Sequence, residues 1–136
     1  MTGTPDEIVR TFIDALVARD LDRACAMVTP DFEYDNVPIG KTIGPDGLRT
    51  TLDGFFSMLS GIDWRILRQT SSGDALHGLV LNERDDRVEI HGSWASLPVA
   101  GVFEVRDGFI SLWRDYFDKE TLIALMTPPT PDSPHS

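Results

Sequence analysis

The sequence predicts an α+β domain, with helices in its first half and a meander of antiparallel strands in its second. Three observations carry this reading. Ile8, Val9, Phe12, Ile13, Leu16 and Val17 recur at helical spacing near the start. From Asp63 onward, apolar and polar residues alternate with a period of two. Ser71-Ser72-Gly73-Asp74 and Asp107-Gly108 then mark hairpin turns between the alternating runs. Helices packed on one face of a curved sheet would leave a pocket between the two layers.

The elements follow in order. Thr4 can cap the first helix, Pro5 suits its first position, and Glu7 completes a capping box. Asp20 caps a second helix with Leu21, Ala24, Cys25 and Val28 on one face, and Pro30 closes it. A short strand places Phe32, Tyr34 and Asn36 on one face and Asp31, Glu33 and Asp35 on the other. The segment from Pro38 to Pro45 reads as a loop. A third helix is expected over 46–59, its stripe being Leu48, Leu52, Phe55, Phe56 and Leu59. Strands are expected near 63–71, 75–90, 95–106 and 109–117, and a last short helix over 119–126 with Leu122, Leu125 and Met126 on one side. Residues 1–127 read as a single domain, and the Pro-rich tail 128–136 as disordered.

A length of 136 residues suits one domain that buries a core without disulfide or metal staples. Twelve Lys and Arg stand against 22 Asp and Glu, a formal charge of −10. That surplus argues against binding the phosphate backbone of nucleic acid, or an anionic membrane surface. An uncharged, lipophilic substrate meets no such objection. Cys25 is the one cysteine, so no intrachain disulfide can form and a reducing compartment is the simpler reading. MTGTPDEIVR carries early acids and no apolar run, unlike a secretory signal, and no stretch is long and apolar enough to span a bilayer. The expectation is a soluble, cytoplasmic protein.

Function is signalled by polar residues on faces that should be apolar. The even positions of the long strand are Leu76, Gly78, Val80, Asn82, Arg84, Asp86 and Val88. Arg84 and Asp86 therefore project to one side, about 7 Å apart along the strand. The odd positions of the last strand are Phe109, Ser111, Trp113, Asp115 and Phe117, so Asp115 stands among aromatics. A lone carboxylate there is costly unless paired or neutral. Two carboxylates facing one guanidinium let one Asp stay ionised while the other is pushed towards its protonated form, which puts an acid and a base in one site. Tyr34 and Asn36, inward on the first strand, can hold a water. Each residue also has a plainer reading. Arg–Asp pairs in sheets are more often salt bridges, Tyr34 can be a core tyrosine with a satisfied tip, and Asn36 a turn former. Alternation sends Asp85 outward, but a bulge would exchange Asp85 and Asp86. No G-x-S-x-G elbow and no Gly-rich phosphate loop occurs. His77, His91 and His135 show no metal-ligand spacing, and Cys25 reads as a packing residue, so neither metal nor cofactor is expected.

These residues also carry a family resemblance. FEYDNVP with Tyr34 and Asn36, VLNERDD with Arg84 and Asp86, and WRDYFD with Asp115 resemble the limonene-1,2-epoxide hydrolase family over roughly residues 4–127. That family is a branch of the cone-shaped, nuclear transport factor 2-like (SnoaL-like) fold shared with ketosteroid isomerase. The resemblance implies a curved mixed sheet with helices on its concave face, and a cofactor-free, one-step hydrolysis of an epoxide to a vicinal diol. Under it, Asp115 is the base for a water held by Tyr34 and Asn36, Asp86 is the acid, and Arg84 bridges the two. The expected apolar wall is Val80, Val88, Leu97, Trp113 and Phe117, with Phe55 and Leu59 from the helices. Such a wall suits a terpene, steroid or fatty-acid epoxide. A homodimer through the outer sheet face is implied as well. An isomerase or cyclase of the ketosteroid-isomerase kind, and a non-catalytic ligand-binding module, are the alternatives on the same fold.

Overall fold

The computed structural model describes residues 3–128, so all but Pro128 of the expected tail lies outside the described residues. Helix α1 (Pro5–Val17) starts as the sequence predicts. Glu7 N donates to Thr4 Oγ1 at 3.2 Å and Thr4 N donates to Glu7 Oε1 at 2.9 Å, closing the capping box both ways. Its stripe of Ile8, Val9, Phe12, Ile13 and Leu16 is buried. Asp20 caps α2 (Leu21–Ala26) by accepting from Arg23 N.

Strand β1 (Val28–Asn36) begins earlier than expected. Val28 belongs to this strand and pairs with Ile110, rather than sitting on the face of α2. The β-branched pair Val28-Thr29 and the restriction Pro30 places on its predecessor both favour extended backbone. The expected loop contains β2 (Gly40–Ile43), an exposed edge strand paired antiparallel with β1. With neither face buried it has no alternation to read. Helix α3 (Gly44–Phe56) starts two residues before the expected 46, with Pro45 in its first turn, where a missing N–H costs nothing. It stops at Phe56, although Leu59 beyond it is still buried.

The remaining strands are β3 (Gly61–Gly73), β4 (His77–Ile90), β5 (Ser93–Ala95), β6 (Pro98–Arg106) and β7 (Phe109–Tyr116). The β3–β4 ladder runs on to Gly73 and Gly78, and the turn is closed by Asp74, whose Oδ1 accepts from the Leu76 and His77 amides. The expected strand over 95–106 is two pieces. β5 folds back on β4 through His91 and Gly92, both at positive φ, and β6 starts at Pro98. Helix α4 (Lys119–Met126) is capped by Asp118.

The sheet order is β2-β1-β7-β6-β4-β3, with β5 on β4. All neighbours are antiparallel except β1 and β7, which run parallel. The sheet is thus mixed, and helix α1 packs on β3, β4 and β7 while α3 packs on β1. The parallel pairing positions the site, because it sets Asn36 beside Asp115 and Tyr34 beside Trp113. Besides a register shift on β1 between Val28 and Glu33, two bulges decide which side chains point inward. One is on β3, where Leu67 is the extra residue between Ile66 and Arg68. The other is on β7, where Ser111 is skipped between Ile110 and Leu112. Consequently Ile110 is buried and Phe109 is exposed, the reverse of the alternation expected at the start of that strand. Strand β4 itself keeps strict alternation. Val80, Asn82, Arg84, Asp86, Val88 and Ile90 are buried and the odd positions are not, so Asp86 faces in and Asp85 faces out. No helix among the described residues is long and apolar enough to cross a membrane.

Candidate active site

Arg84 has no exposed surface, and Asp86 and Asp115 are 5% and 4% exposed, so this charge cluster is out of bulk water. The three arrive from two strands. Arg84 and Asp86 are successive inward residues of β4, and Asp115 reaches them from β7 across the intervening β6. The Arg84 fork meets Asp86 with two parallel bonds, Nε to Oδ1 at 3.0 Å and Nη2 to Oδ2 at 2.9 Å. It meets Asp115 with two more, Nη1 to Oδ1 at 3.2 Å and Nη2 to Oδ2 at 2.6 Å. The guanidinium lies about 6 Å from the ring centres of Trp64, Phe103 and Trp113, within cation–π reach of each.

Gly101 makes room for this fork. It lies on β6, paired with Asn82 on one side and Asp115 on the other. A Cβ there would stand 2.7 Å from Asn82 Oδ1, 3.0 Å from Asp115 Oδ1, and closer still to Arg84 Nη1. Glycine inside a strand commonly marks such a close approach. That signal was available in the sequence, and reading only the charged positions misses it.

The two carboxylates differ. Burial pushes the Asp86 carboxyl above the usual range, against the pull of Arg84, and the charge of Asp115 adds to the rise. Asp115 accepts a third bond, from Trp113 Nε1 at 2.7 Å. Burial works to lower the pKa of Arg84, but the charges and hydrogen bonds of Asp115 and Asp86 outweigh it, so Arg84 stays charged. The Tyr34 hydroxyl is held well above its ordinary value, by burial first and by the Asp115 charge second, with the Asn36 side chain acting the other way. It therefore remains a neutral donor and acceptor. Its ring stacks on Trp113 at 4.3 Å between centroids.

A cavity of about 160 Å³ opens onto these groups. Tyr34, Asn36, Asp86 and Asp115 give it one polar end, and its other lining is almost wholly apolar. Of the expected wall residues, Val88, Leu97 and Phe117 line it, and so does Phe55. Val80, Trp113 and Leu59 do not. Val80, on β4, is fully buried in the core, and Leu59 packs there too. Trp113 stands behind Asp115, where its role is the N–H it donates. The lining also includes Leu52, Trp64 and Val99, together with Ile39, Leu122 and Leu125, which sequence reading did not select for it. A residue that lines a cavity and one that fills a core share the same apolar periodicity, so nothing in the pattern separates them. Among the described residues no group of three or more His, Cys, Asp or Glu is placed to hold a metal.

Residues 4–127 match the family described as limonene-1,2-epoxide hydrolase catalytic domain. The chain is 40% identical over 111 residues to the epoxide hydrolase EphG of Mycobacterium tuberculosis, covering 81% of this chain and 70% of that one. It superposes on the structure of an M. tuberculosis LEH-like epoxide hydrolase with a TM-score of 0.73 and 33% identity, over 88% of this chain and 86% of that one. A protein of ketosteroid isomerase-like fold from Catenulispora acidiphila gives a TM-score of 0.78 at 21% identity, over 93% and 96% of the two chains. The last likeness shows the cone-shaped, nuclear transport factor 2-like fold alone. The family match and the two epoxide hydrolases go further: the chain belongs to the limonene-1,2-epoxide hydrolase family and is an epoxide hydrolase of that type.

Proposed function

We propose that this enzyme adds water to a lipophilic epoxide in one step, with Asp115 as general base and Asp86 as general acid. The observation that carries the reading is the single guanidinium shared by two buried carboxylates at the polar end of an apolar cavity. Asn36 and Tyr34 lie on the strand beside Asp115, where a water held by their side chains is within reach of its carboxylate. Asp115 takes a proton from that water as its oxygen bonds to one epoxide carbon. The other C–O bond breaks, and Asp86 gives its proton to the departing oxygen. Water and epoxide are consumed, a diol is formed, and a proton passes from Asp115 back to Asp86 to restore the start. No covalent bond to the protein is made. The apolar lining of Val88, Leu97, Phe55 and Phe117 supports a substrate with a hydrocarbon body, such as a terpene, steroid or fatty-acid epoxide.

Two measurements test this. Asp115→Asn should abolish diol formation while leaving the fold intact, and near-normal turnover by that variant would overturn the assignment. A single turnover in heavy-oxygen water should place the label in the diol, whereas label in the protein would mean a covalent ester. We also propose a cytoplasmic homodimer. The outer sheet face exposes Leu67, Leu79 and Leu81, apolar area that a second copy would cover, and sedimentation at equilibrium would give the mass.

A further inference from the structure

We propose that Asn82 and Gln69 are positioning residues for Arg84, forming a one-way hydrogen-bond chain that fixes its guanidinium against both aspartates. The inference rests on the catalytic reading of Asp86, Arg84 and Asp115 given above. A guanidinium has five N–H donors and no acceptor. Four of those of Arg84 go to the aspartates. The fifth, on Nη1, goes to Asn82 Oδ1 at 3.1 Å. Every donor of this fully buried guanidinium is thereby used.

The direction of the chain follows from its ends. Arg84 only donates, so Asn82 must turn its oxygen towards it. The Asn82 amide nitrogen then points the other way and donates to Gln69 Oε1 at 3.0 Å. Gln69 Nε2 is left facing the first turn of α1, where it donates to Asp6 Oδ1 at 2.8 Å and to the Asp6 carbonyl at 3.2 Å. The ionised Asp6 carboxylate only accepts. Neither amide can flip without setting donor against donor at Arg84 or acceptor against acceptor at Asp6. A two-residue polar strut thus runs from the catalytic Arg through β4 and β3 to the capped start of α1.

The strut bears on chemistry through Nη1. That nitrogen is shared between Asn82 and Asp115, and its bond to Asp115, at 3.2 Å, is the longest of the four that join the fork to the aspartates. Without Asn82 the fork is free to rock in its plane about the Asp86 pair, and the contact with the base is the one it loses. The charged or titratable groups facing the fork are Asp86 on its own strand, Asp115 on β7 and Tyr34 on β1. Asp85 points outward, and Asp6 lies at the far end of the chain.

The test compares Asn82→Leu, Asn82→Asp and Gln69→Leu with the parent and with Asp115→Asn. The probe is limonene-1,2-epoxide, or whichever of it, a steroid epoxide and an epoxystearate the parent turns over fastest. Asn82→Leu should lower kcat by about 10- to 100-fold with KM little changed, the size of effect expected when a catalytic group is misplaced by a fraction of an ångström. Gln69→Leu should show a smaller loss in the same parameter. Asn82→Asp keeps the acceptor for Arg84 but sets an oxygen against Gln69 Oε1, so it should recover kcat to about the level of Gln69→Leu. Its added negative charge should move the alkaline limb of the pH profile upward, because Asp86 then holds its proton more tightly. A purely structural role predicts instead that both Asn82 variants lose kcat alike, in step with their loss of thermal stability, and that outcome overturns the proposal. Parent-like kcat in Asn82→Leu overturns it as well. The Arg84 side-chain N–H resonances separate this failure from failure of the catalytic reading. If they sharpen in the parent and broaden in Asn82→Leu while no diol is formed by any variant, the strut stands and the hydrolase chemistry falls. If Asn82→Leu leaves them unchanged, the strut falls.

Discussion

At the scale of single residues, the site holds two carboxylates and one guanidinium, so one negative charge is in excess where water is scarce. A proton on Asp86 relieves that excess, which is why burial raises this carboxyl despite its ion pair. Under the proposed mechanism the acid is therefore lost as pH rises through the raised Asp86 value, and kcat/KM should fall on that alkaline limb. Asp86→Asn should remove turnover altogether. Stability follows the same proton. An acid whose folded pKa lies above its unfolded value adds stability below that unfolded value, 3.8 for Asp86, and the contribution is lost as pH rises through the folded one. Asp6, Asp31, Asp63 and Asp118 behave oppositely, since hydrogen-bonded partners hold them below their ordinary value. Comparing urea unfolding of the parent and of Asp86→Asn across pH isolates Asp86. The parent should lose stability relative to the variant on going from acid to neutral pH, and parallel curves would contradict the assignment of the proton.

At the scale of the element, β6 matters as much as the two strands that bear the charges. Gly101 leaves a gap one side chain wide, and Arg84 and Asn82 fill it from β4. Gly101→Ala should push the fork off Asp115, which would cut kcat by about 100-fold, and should cost on the order of 1–3 kcal/mol through overpacking. Chemical denaturation and steady-state kinetics read the two effects separately. The same strand shows what the sequence could and could not reveal. Alternation along β4 is legible because that strand is buried on one face from Val80 to Ile90, and it alone puts Arg84 and Asp86 together. Alternation along β7 misleads at its start, because the bulge at Ser111 reverses inside and outside for Phe109 and Ile110. Edge strands β2 and β5 escape notice, since exposed faces carry no period. The parallel union of β1 and β7, which brings Asn36 to Asp115, depends on pairing between distant segments that no local pattern encodes.

At the scale of the whole molecule, the helices act as one wall of the cavity and the sheet as the other. The sequence announces α1 in full, from its capping box to its buried stripe, and Phe12 on that stripe sets its ring edge-on to Trp113 at 5.3 Å between centroids. The tryptophan that holds Asp115 is thus braced by the helix layer. Helix α4 is different. It has no fully buried residue, yet Leu122 and Leu125 reach the cavity that holds the aspartates. Its contribution should therefore be to binding rather than to folding. Replacing both leucines by alanine keeps good helix formers in place and removes apolar surface from the cavity wall. Neither side chain touches the Arg84 fork, so kcat should stay close to that of the parent. KM for a hydrocarbon epoxide should rise by roughly tenfold, within the 1–3 kcal/mol that small losses of apolar contact cost in a binding pocket. The midpoint of thermal unfolding should move little, because both positions are only half-buried. A fall in kcat with KM unchanged would instead place α4 in the chemistry, and a large drop in the unfolding midpoint would place it in the core.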